Sequence, residues 1–448
     1  MDKATFEHIT GLLKDYISGT EFENHVFCVG GSVRDMVMGN EIKDIDLVVD
    51  LQDGGIRFPE WLESKGLLSG TIVKYPSYGT AMFRLAGCPD VELECVQTRK
   101  EKYTDRTSRK PATSYGTILE DCIRRDLTIN ALYYSITDGK IADPCGNGLE
   151  DIRNHILRTT GNPDDVYDDD PLRILRCIRF FCKMNKQDGD WKISEDTVKG
   201  MEKNAFRLVI ISRERIYDEL CKMIAIDFPT AIFLMHKYGI IQYVFAGTGI
   251  TGDQWYTAIR EMDVLADWYE IYDKQHPASI PDHVALAALL TGRTDSRKAR
   301  TVLNSLKFPN ITTDAVVKLM DAYPLFMEIK DRESLHRLQF KIGTSELWLE
   351  LCGIAIAKTN NIVPDEIIVS EIIRDCNEDF KNGTSMFGYK LPVNGNDIME
   401  IRNIGKSKEV GLWLQYAMGL AYKNPLISRD EMIDNIKAQS PDILLNLS

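Results

Sequence analysis

Long apolar runs, paired cysteines and catalytic histidine motifs are missing from this sequence of 448 residues. The apolar run from Val284 to Leu290 is far shorter than the ~20 residues that a membrane-spanning helix needs. The first residues are acidic and amphipathic, whereas a secretory leader is basic and then apolar. These absences predict a cytoplasmic protein without a membrane partner.

The ten cysteines include no C-x-x-C pair, and the seven histidines are scattered. Cysteines such as Cys28, in the stretch V-F-C-V, lie inside apolar patterns, so we expect buried free thiols. H-E-x-x-H, G-x-S-x-G and zinc-type spacings are absent, and the G-K-S at 405–407 lacks the upstream glycine of a P-loop. These patterns argue against zinc, serine-hydrolase and P-loop chemistry, and the histidines are expected to be structural or solvated.

The charge of the chain is acidic, although its composition is that of an ordinary globular protein. With 54 basic and 67 acidic residues the net charge is −13, so a nucleic-acid partner requires a local basic surface. The stretch from Arg293 to Lys341 holds ten basic residues against six acidic ones and is a candidate for that surface. Solvated helix faces explain this stretch equally well.

Strand-like and helix-like patterns divide the sequence near residue 150. Before residue 140, short runs rich in Val, Ile, Tyr and Phe predict a sheet. After residue 150, apolar residues recur at three- and four-residue spacing, as in Pro171–Met184 and Glu409–Ala421, which predicts helices. The polar segment from Arg99 to Glu120 predicts a long mobile loop between two strands. Turn-rich stretches predict hinges at 161–163, 247–249 and 382–396.

A glycine pair, Gly30 and Gly31, lies between a predicted strand and a predicted helix. Such a turn presents free backbone N–H groups and the positive end of the helix dipole, which suits a phosphate group. By itself, the pair is equally typical of an ordinary turn.

Two aspartates, Asp44 and Asp46, follow in the predicted strand K-D-I-D-L-V-V. Strand alternation places both carboxylates on one side, about 7 Å apart along the chain. Such a pair can bind hard divalent cations, and Mg²⁺ typically binds one or two carboxylates together with substrate phosphates. Taken alone, the pattern is also typical of a solvated strand face. Glu94, on a later predicted strand, is a weaker candidate for a third carboxylate.

Two further motifs place arginines beside an aspartate. In R-R-D-L-T-I-N-A-L, Arg125 is a candidate for holding a triphosphate and Asp126 for accepting hydrogen bonds from a ribose hydroxyl. A salt-bridged start of a secondary-structure element explains that block as well. Asp170 and Arg173 lie three residues apart at a predicted helix start, so they are neighbours on one surface.

The chemistry of this second pair matches two nucleobases. Asp170 offers an acceptor and Arg173 several donors, whereas cytosine and adenine both present an exocyclic amine beside an accepting ring nitrogen. The pair is therefore a candidate for reading these bases without a template. Because Asp170 precedes a proline, it also fits an ordinary helix cap.

Taken in order, six blocks of the sequence resemble the motifs of the bacterial-type (class II) tRNA nucleotidyltransferase and poly(A) polymerase family. The blocks are GGSVRD, KDIDLVV, RRDLTINAL, DPCGNGLEDI with HILRTTG, DDPLRILRCIRF and ISRERIYDEL. The resemblance covers about residues 26–220, with a weaker similarity at Leu391–Ala421. It implies an α+β fold, with an N-terminal nucleotidyltransferase head of mixed β-sheet and helices followed by an all-helical neck, body and tail. The implied limits are 1–145 for the catalytic head, 146–225 for the neck with its base-recognition helix, 226–330 for the body and 331–448 for the tRNA-binding tail.

The resemblance also implies roles for individual residues. Asp44 and Asp46 match the catalytic pair that binds the metal, which we expect to be Mg²⁺. The expected nucleotide-binding residues are Gly30, Gly31, Arg34, Arg125, Asp126, Asp170, Arg173, Arg176 and Arg179. Asp169 stands where the family usually has Glu, but the carboxylate of Asp170 is retained, so we expect little change in base choice.

The activity that the resemblance implies is nucleotidyl transfer. We expect template-independent addition of CCA to the 3′ end of tRNA from CTP and ATP, with release of pyrophosphate. A poly(A) polymerase of the same family is the closest alternative, and a noncatalytic RNA-binding module is a remote one. The stretch 283–292 lacks the His-Asp signature that some relatives carry after such an apolar run, so no second hydrolase site is expected.

Overall fold

The structure, a computed structural model, describes residues 1–102, 112–272, 280–360 and 362–446. Met1–Phe245 form one compact unit and Ala246–Ser448 form a second. The boundary between the units lies beside the predicted hinge at 247–249. The limits of head, neck, body and tail that the resemblance implies stay predictions.

Most strands of the first unit pair into one seven-stranded mixed sheet. In chain order, the strands are β1 (Val26–Val29), β2 (Ile45–Val49), β3 (Val73–Tyr75), β4 (Thr80–Leu85), β5 (Cys88–Gln97), β6 (Arg99–Lys102), β7 (Ala112–Tyr115), β8 (Tyr133–Ser135), β9 (Ile141–Ala142), β10 (Ile156–Leu157) and β11 (Lys192–Ile193). The order across the sheet is β3-β4-β5-β2-β1-β8-β9, with β2 and β5 parallel and the other neighbours antiparallel. The predicted mixed sheet is therefore confirmed.

The two central strands are almost wholly buried, which explains their continuous apolar character. All residues of β1 are buried, and in β2 Asp46 alone is partly exposed. The end of β1 and the start of β2 are neighbours, because Val29 pairs with Asp46. This register brings the glycine pair and the two aspartates to the same end of the sheet.

Helices surround this sheet and continue beyond it. They are α1 (Lys3–Ile17), α2 (Gly31–Met38), α3 (Gly54–Ser64), α4 (Ile118–Ile123), α5 (Gly148–Arg153), α6 (Pro163–Asp169), α7 (Leu172–Asp188), α8 (Glu195–Asn204), α9 (Arg213–Lys237) and α10 (Ile241–Val244). The predicted apolar stripe of α7 is confirmed, since Leu172, Leu175 and Ile178 are buried. α7 packs mainly against α9.

The expectation of one long loop from Arg99 to Glu120 is wrong at both ends of that segment. β6 and β7 pair as antiparallel strands, and α4 begins at Ile118. The start of α4 is specified by a capping box, in which Thr117 and Glu120 bond each other's backbone N–H groups. The centre of the expected loop, residues 103–111, lies outside the described residues.

The expectation of free thiols is wrong for Cys122 and Cys145, which form a disulfide. One residue lies on α4 and the other in the turn after β9, and their Cα atoms are 6.7 Å apart although 23 residues separate them in the chain. Tertiary structure brings them together, so no sequence spacing marked the pair. The prediction of buried thiols is confirmed for Cys28, Cys95, Cys177, Cys182, Cys352 and Cys376.

The described part of the second unit consists of helices and their connections. The helices are α11 (Gly252–Tyr272), α12 (Asp282–Leu290), α13 (Ser296–Ser305), α14 (Asn310–Met327), α15 (Arg332–Ile342), α16 (Ser345–Thr359), α17 (Val363–Asn382), α18 (Gly395–Arg402), α19 (Lys408–Lys423) and α20 (Arg429–Ala438). Every residue from Val284 to Leu290 in α12 is buried, so the most apolar run of the sequence is a core helix. Within the described ranges, no helix combines the length and the apolar character needed to cross a membrane.

Two basic residues of the stretch from Arg293 to Lys341 are held in internal ion pairs. Arg293 binds Glu261 at 2.7 Å, with both side chains nearly buried, and Arg332 binds the buried carboxylate of Asp379. These two arginines therefore serve the packing of the second unit in this structure. A tRNA-binding role for the stretch stays a prediction.

Candidate active site

A cleft of about 300 Å³ opens in the first unit where β1 ends and β2 begins. Its walls come from the start of α2, the start of β2, the segment after α4 and one face of α7. The residues that line it are Gly30, Gly31, Ser32, Arg34, Asp35, Lys43, Asp44, Asp46, Arg125, Asp126, Asn130, Arg176, Arg179, Phe180 and Lys183.

The turn from β1 into α2 is built on Gly30. Its φ of 78° lies in the region that favours glycine, and a Cβ there would meet the Asp46 carboxylate at 3.4 Å. Because glycine has no side chain that could cover them, the first backbone N–H groups of α2 are accessible from the cleft. The predicted phosphate-type turn therefore lies directly beside the aspartate pair.

Asp44 and Asp46 both line the cleft, as the strand alternation predicted. Asp44 is exposed just before β2, whereas Asp46 is half-buried within it. Burial, followed by repulsion from Glu94 and Asp44, raises the pKa of Asp46 to about 6, although the positive charge of Arg125 opposes this shift. A half-buried carboxylate crowded by other carboxylates is relieved by a cation, so the oxygen donors present fit a hard divalent metal.

Glu94 lies beside this pair on the neighbouring strand. It is the register partner of Asp46 in the parallel β2–β5 pairing, and its side chain is exposed. Among the described residues, no group of three or more His, Cys, Asp and Glu side chains is placed to hold a metal ion. Glu94 acts on the charge of Asp46, and its role as a third carboxylate stays a prediction.

The floor of the cleft is a network of hydrogen-bonded charges. Arg34 is almost completely buried, bonds both oxygens of Asp35 at 2.9 Å and donates to Asn130 at 2.6 Å. Asp126 accepts from Asn130 at 3.3 Å and from Arg176 at 2.8 Å. Burial works against ionisation of Asp126, but the attraction of Arg176 outweighs it and lowers the pKa to about 2.

One face of α7 supplies another wall. The guanidinium groups of Arg34, Arg176 and Arg179 lie 5.5, 5.8 and 4.5 Å from the centre of the Phe180 ring. Arg179 also donates to the buried Glu219 of α9 at 2.6 Å. One turn further along α7, burial and the nearby Arg34 charge lower the pKa of the last residue of this wall, Lys183, to about 8.

The cleft is positively charged in an acidic protein. Its lining has six cationic side chains against four aspartates, and the cations are Arg34, Lys43, Arg125, Arg176, Arg179 and Lys183. Arginine forks bind phosphate oxygens with two parallel hydrogen bonds, so this wall suits a ligand with several phosphate charges. A pair of carboxylates and a surface rich in guanidinium groups therefore meet in one cleft.

The structure does not bring Asp170 and Arg173 to the lining of this cleft. Asp170 pairs with Arg215 of α9 at 2.7 Å and accepts from the backbone N–H of Leu172 at 3.2 Å, which is the capping contact considered from the sequence. Arg173 is buried and donates to the carbonyl oxygens of Val166 and Arg124, at 3.0 and 2.6 Å. The role of this pair in reading bases stays a prediction.

The remaining residues singled out from the sequence, apart from Glu94, do meet in the cleft. They are Gly30, Gly31, Arg34, Asp44, Asp46, Arg125, Asp126, Arg176 and Arg179. The sequence analysis missed the other lining residues, which are Ser32, Asp35, Lys43, Asn130, Phe180 and Lys183. Helical spacing marks Lys183, which continues the line of Arg176 and Arg179 along α7.

Two family models match parts of the chain. Residues 26–158 match the Poly A polymerase head domain, and residues 190–248 match the probable RNA and SrmB-binding site of polymerase A. The first match contains the glycine turn, the aspartate pair and the segment with Arg125. α7, which supplies Arg176 and Arg179, lies between the two matches.

Curated relatives also match the chain. A tRNA nucleotidyltransferase of Schizosaccharomyces pombe is 33% identical over 238 residues, which cover 50% of this chain and 46% of the relative. A CCA-adding enzyme of Limosilactobacillus reuteri is 29% identical over 323 residues, which cover 72% of each chain. This chain therefore spans about half the length of the first of these relatives and almost three quarters of the second.

The fold is also that of solved structures. A Bacillus stearothermophilus CCA-adding enzyme in complex with CTP superposes with a TM-score of 0.69 at 22% identity, covering 99% of this chain and all of the other. The α+β fold with a sheet-containing head and a helical remainder is thereby confirmed. The chain thus carries a match to the Poly A polymerase head domain, followed by a match to the probable RNA-binding segment of polymerase A, and it is similar to tRNA nucleotidyltransferases and CCA-adding enzymes.

Proposed function

We propose that this chain adds CCA to the 3′ end of tRNA, using CTP and ATP and releasing pyrophosphate. The observation that carries the proposal is the cleft that joins Asp44 and Asp46 to a wall of arginines beside the Gly30 turn. The names of the relatives, a tRNA nucleotidyltransferase and a CCA-adding enzyme, support the choice of tRNA as substrate.

Asp44 and Asp46 are the proposed ligands of Mg²⁺. When bound, Mg²⁺ supplies the positive charge that activates the attacking 3′-hydroxyl and stabilises the α-phosphate in the transition state. The Gly30–Gly31 backbone and the guanidinium groups of Arg34, Arg125 and Arg179 then bind and orient the triphosphate. Their preorganised charges also favour the departure of pyrophosphate.

Asp126 and Asn130 form the proposed contact surface for the ribose. Both lie at the floor of the cleft, and Asp126 stays ionised because Arg176 holds it. An ionised carboxylate accepts a hydrogen bond from a hydroxyl and repels an additional anion, which fits a sugar better than a phosphate.

Asp170 and Arg173 are the proposed readers of the base. An acceptor beside several donors matches cytosine and adenine. Guanine and uracil instead present a carbonyl oxygen, itself an acceptor, to the Asp170 carboxylate. In the described conformation these side chains bind Arg215 and backbone carbonyls, so base reading requires an exchange of these partners for the nucleotide.

An end-extension assay tests the proposed reaction. The substrate is tRNA that lacks its terminal three nucleotides, and each of the four nucleoside triphosphates is supplied with and without Mg²⁺. We expect incorporation from CTP followed by ATP, then termination, with no reaction when Mg²⁺ is left out. Unlimited tailing from ATP alone would instead identify a poly(A) polymerase, and binding of RNA without extension would identify a noncatalytic module.

The location in the cytoplasm, expected from the sequence, is also part of this proposal. Fractionation of cells that express the full chain measures it directly. Recovery of the protein in a membrane or organelle fraction would contradict the proposal.

A further inference from the structure

Asp121 on α4 is a buried carboxylate outside the lining of the cleft. Its side chain is 0% exposed, yet it lies at the junction of α4 with the segment that carries Arg125. An ionised carboxylate in such a place is costly unless several donors surround it. The identity of these donors indicates what the residue does.

The donors come from three parts of the head. Arg125 donates to Asp121 Oδ2 through Nε at 3.2 Å and through Nη2 at 3.0 Å. Arg124 donates to Oδ1 through Nε at 3.0 Å, and the backbone N–H of Arg99 donates at 3.1 Å. The hydroxyl of Tyr133 donates to Oδ2 at 2.7 Å. Both carboxylate oxygens are therefore used, and two arginines share one anion.

Tyr133 completes a cage around the Arg125 guanidinium. Its hydroxyl accepts from Arg125 Nε at 3.2 Å, and its ring centre lies 5.5 Å from the guanidinium carbon. Tyr133 is the buried residue of β8, so its ring is held in the core beside the sheet. Arg125 lines the cleft, and Asp121 and Tyr133 bind its guanidinium group.

The charge of Asp121 persists under ordinary conditions. Burial opposes its ionisation, but the attraction of Arg125 and Arg124 and the hydrogen bond from Tyr133 lower its pKa to about 2. The ionic contact is therefore present over the whole range in which an enzyme of this kind works.

We propose that Asp121 is a positioning residue for nucleotide binding, which orients the Arg125 guanidinium toward the cleft before the nucleotide arrives. The inference rests on the proposed function, in which Arg125 contacts the incoming nucleotide. A long arginine side chain loses rotational freedom on binding a phosphate, and a partner that fixes it beforehand removes that cost from the binding step. Asp121 itself does not touch the substrate.

The same carboxylate also reaches the proposed base reader. Asp121 binds the side chain of Arg124, and the backbone carbonyl of Arg124 accepts from Arg173 Nη2 at 2.6 Å. One anion thus supports both the arginine at the cleft and the backbone to which the base-reading arginine is bound. Loss of its charge is expected to weaken the binding of CTP and ATP alike.

Asp121→Asn tests the proposal, because asparagine keeps the shape of the side chain and removes its charge. The matched control is Asp379→Asn in the second unit, which likewise neutralises a buried carboxylate held by an arginine. Binding of CTP to the full chain with Mg²⁺ is measured by calorimetry, and KM and kcat are measured by tRNA end extension. We expect D121N to raise the Kd and KM for CTP and ATP about tenfold with kcat changed less, and D379N to lower thermal stability while the Kd for CTP stays unchanged.

A double-mutant cycle distinguishes positioning from a general loss of structure. If Asp121 acts through Arg125, the losses of CTP affinity in D121N and Arg125→Ala do not add in the double variant. Tyr133→Phe removes the hydroxyl that bridges both residues and keeps the ring, so it is expected to weaken CTP binding in the same direction by a smaller factor. If D121N does not fold, Tyr133→Phe still tests the positioning role of Asp121.

The outcomes that contradict the positioning role differ from the outcome that contradicts the proposed reaction, and one further outcome contradicts both. If D121N and Y133F bind CTP as tightly as the wild type, or if the losses in the cycle add, the positioning role is overturned. A wild-type chain that binds CTP but extends no tRNA would overturn the proposed reaction, while the calorimetric comparison would still decide the role of Asp121. A wild-type chain that binds no CTP would overturn both.

Discussion

Buried charge is arranged differently in the two units. In the second unit, Glu261 lies 2.7 Å from both Arg293 and Lys358, and none of the three side chains is more than 13% exposed. In the cleft of the first unit, Asp46 instead lies near two other carboxylates, Asp44 and Glu94, which raise its pKa. Opposite charges in contact stabilise the packing of helices, whereas like charges in contact cost stability until a ligand neutralises them.

The cations of the cleft show the same contrast. Lys183 lies near Arg34 and Arg179, and its nearest carboxylate, Asp35, is 3.8 Å away and already binds Arg34 at 2.9 Å. A pair of crowded anions and a group of crowded cations in one cleft are a stability cost that a metal and a polyphosphate together would relieve. Crowding of like charges in this way distinguishes a ligand site from a structural ion pair.

The largest expected effect comes from the crowded anions. Asp46→Asn removes a proposed metal ligand and a like-charge repulsion together, so the proposed CCA addition is expected to fall about 1,000-fold or more while thermal stability stays equal or rises. End-extension rates and thermal melts without Mg²⁺ check both parts. The matched control is Glu92→Gln, which neutralises an exposed carboxylate of β5 outside the cleft lining. If D46N lost stability and kept normal activity, the proposed contrast between a ligand site in the first unit and structural ion pairs in the second would be wrong.

The next effect concerns the structural ion pairs. Glu261→Gln leaves Arg293 and Lys358 as unpaired buried cations, so the free energy of unfolding of the second unit is expected to fall by about 3 kcal/mol. Urea denaturation measures the change. The nucleotide affinity of the cleft should stay unchanged when measured below the denaturation range. An unchanged unfolding midpoint would show that this cluster does not hold its helices together.

A smaller effect is expected from pH. Because the pKa of Asp126 is about 2 in the folded protein and 3.8 is its ordinary value, its ionic contact with Arg176 stabilises the fold above about pH 4. That stabilisation, about 2 kcal/mol, is lost as the pH falls from 4 to 2. Asp126→Asn should therefore flatten the acid limb of a stability–pH curve. An acid limb as steep as that of the wild type would assign the acid sensitivity to other carboxylates.

Local sequence patterns predicted the parts of the site that local geometry determines. Alternation along β2 placed Asp44 and Asp46 on one side, and helical spacing placed Arg176 and Arg179 on one face of α7. Glycine at position 30 was recognised because a strand that turns directly into a helix start requires a residue that tolerates positive φ. Each of these features depends on residues less than ten positions apart.

Features that depend on distant partners were not predictable in the same way. Asp170 is 45 residues from Arg215, and Arg173 is 49 residues from the carbonyl of Arg124 that it binds. The disulfide likewise joins Cys122 to Cys145, which are 23 residues apart in the chain. Asp121 carries no motif of its own, and its importance follows from the four groups that converge on it.

The parallel pairing of β2 with β5 has a consequence for biosynthesis. β2 ends at Val49, but its parallel partner begins only at Cys88, after the whole of β3 and β4. A nascent chain that has emerged as far as β4 thus exposes one apolar edge of the strand that bears Asp46. Ribosome stalling in this interval would prolong the exposure of that unpaired edge and favour aggregation of the nascent chain.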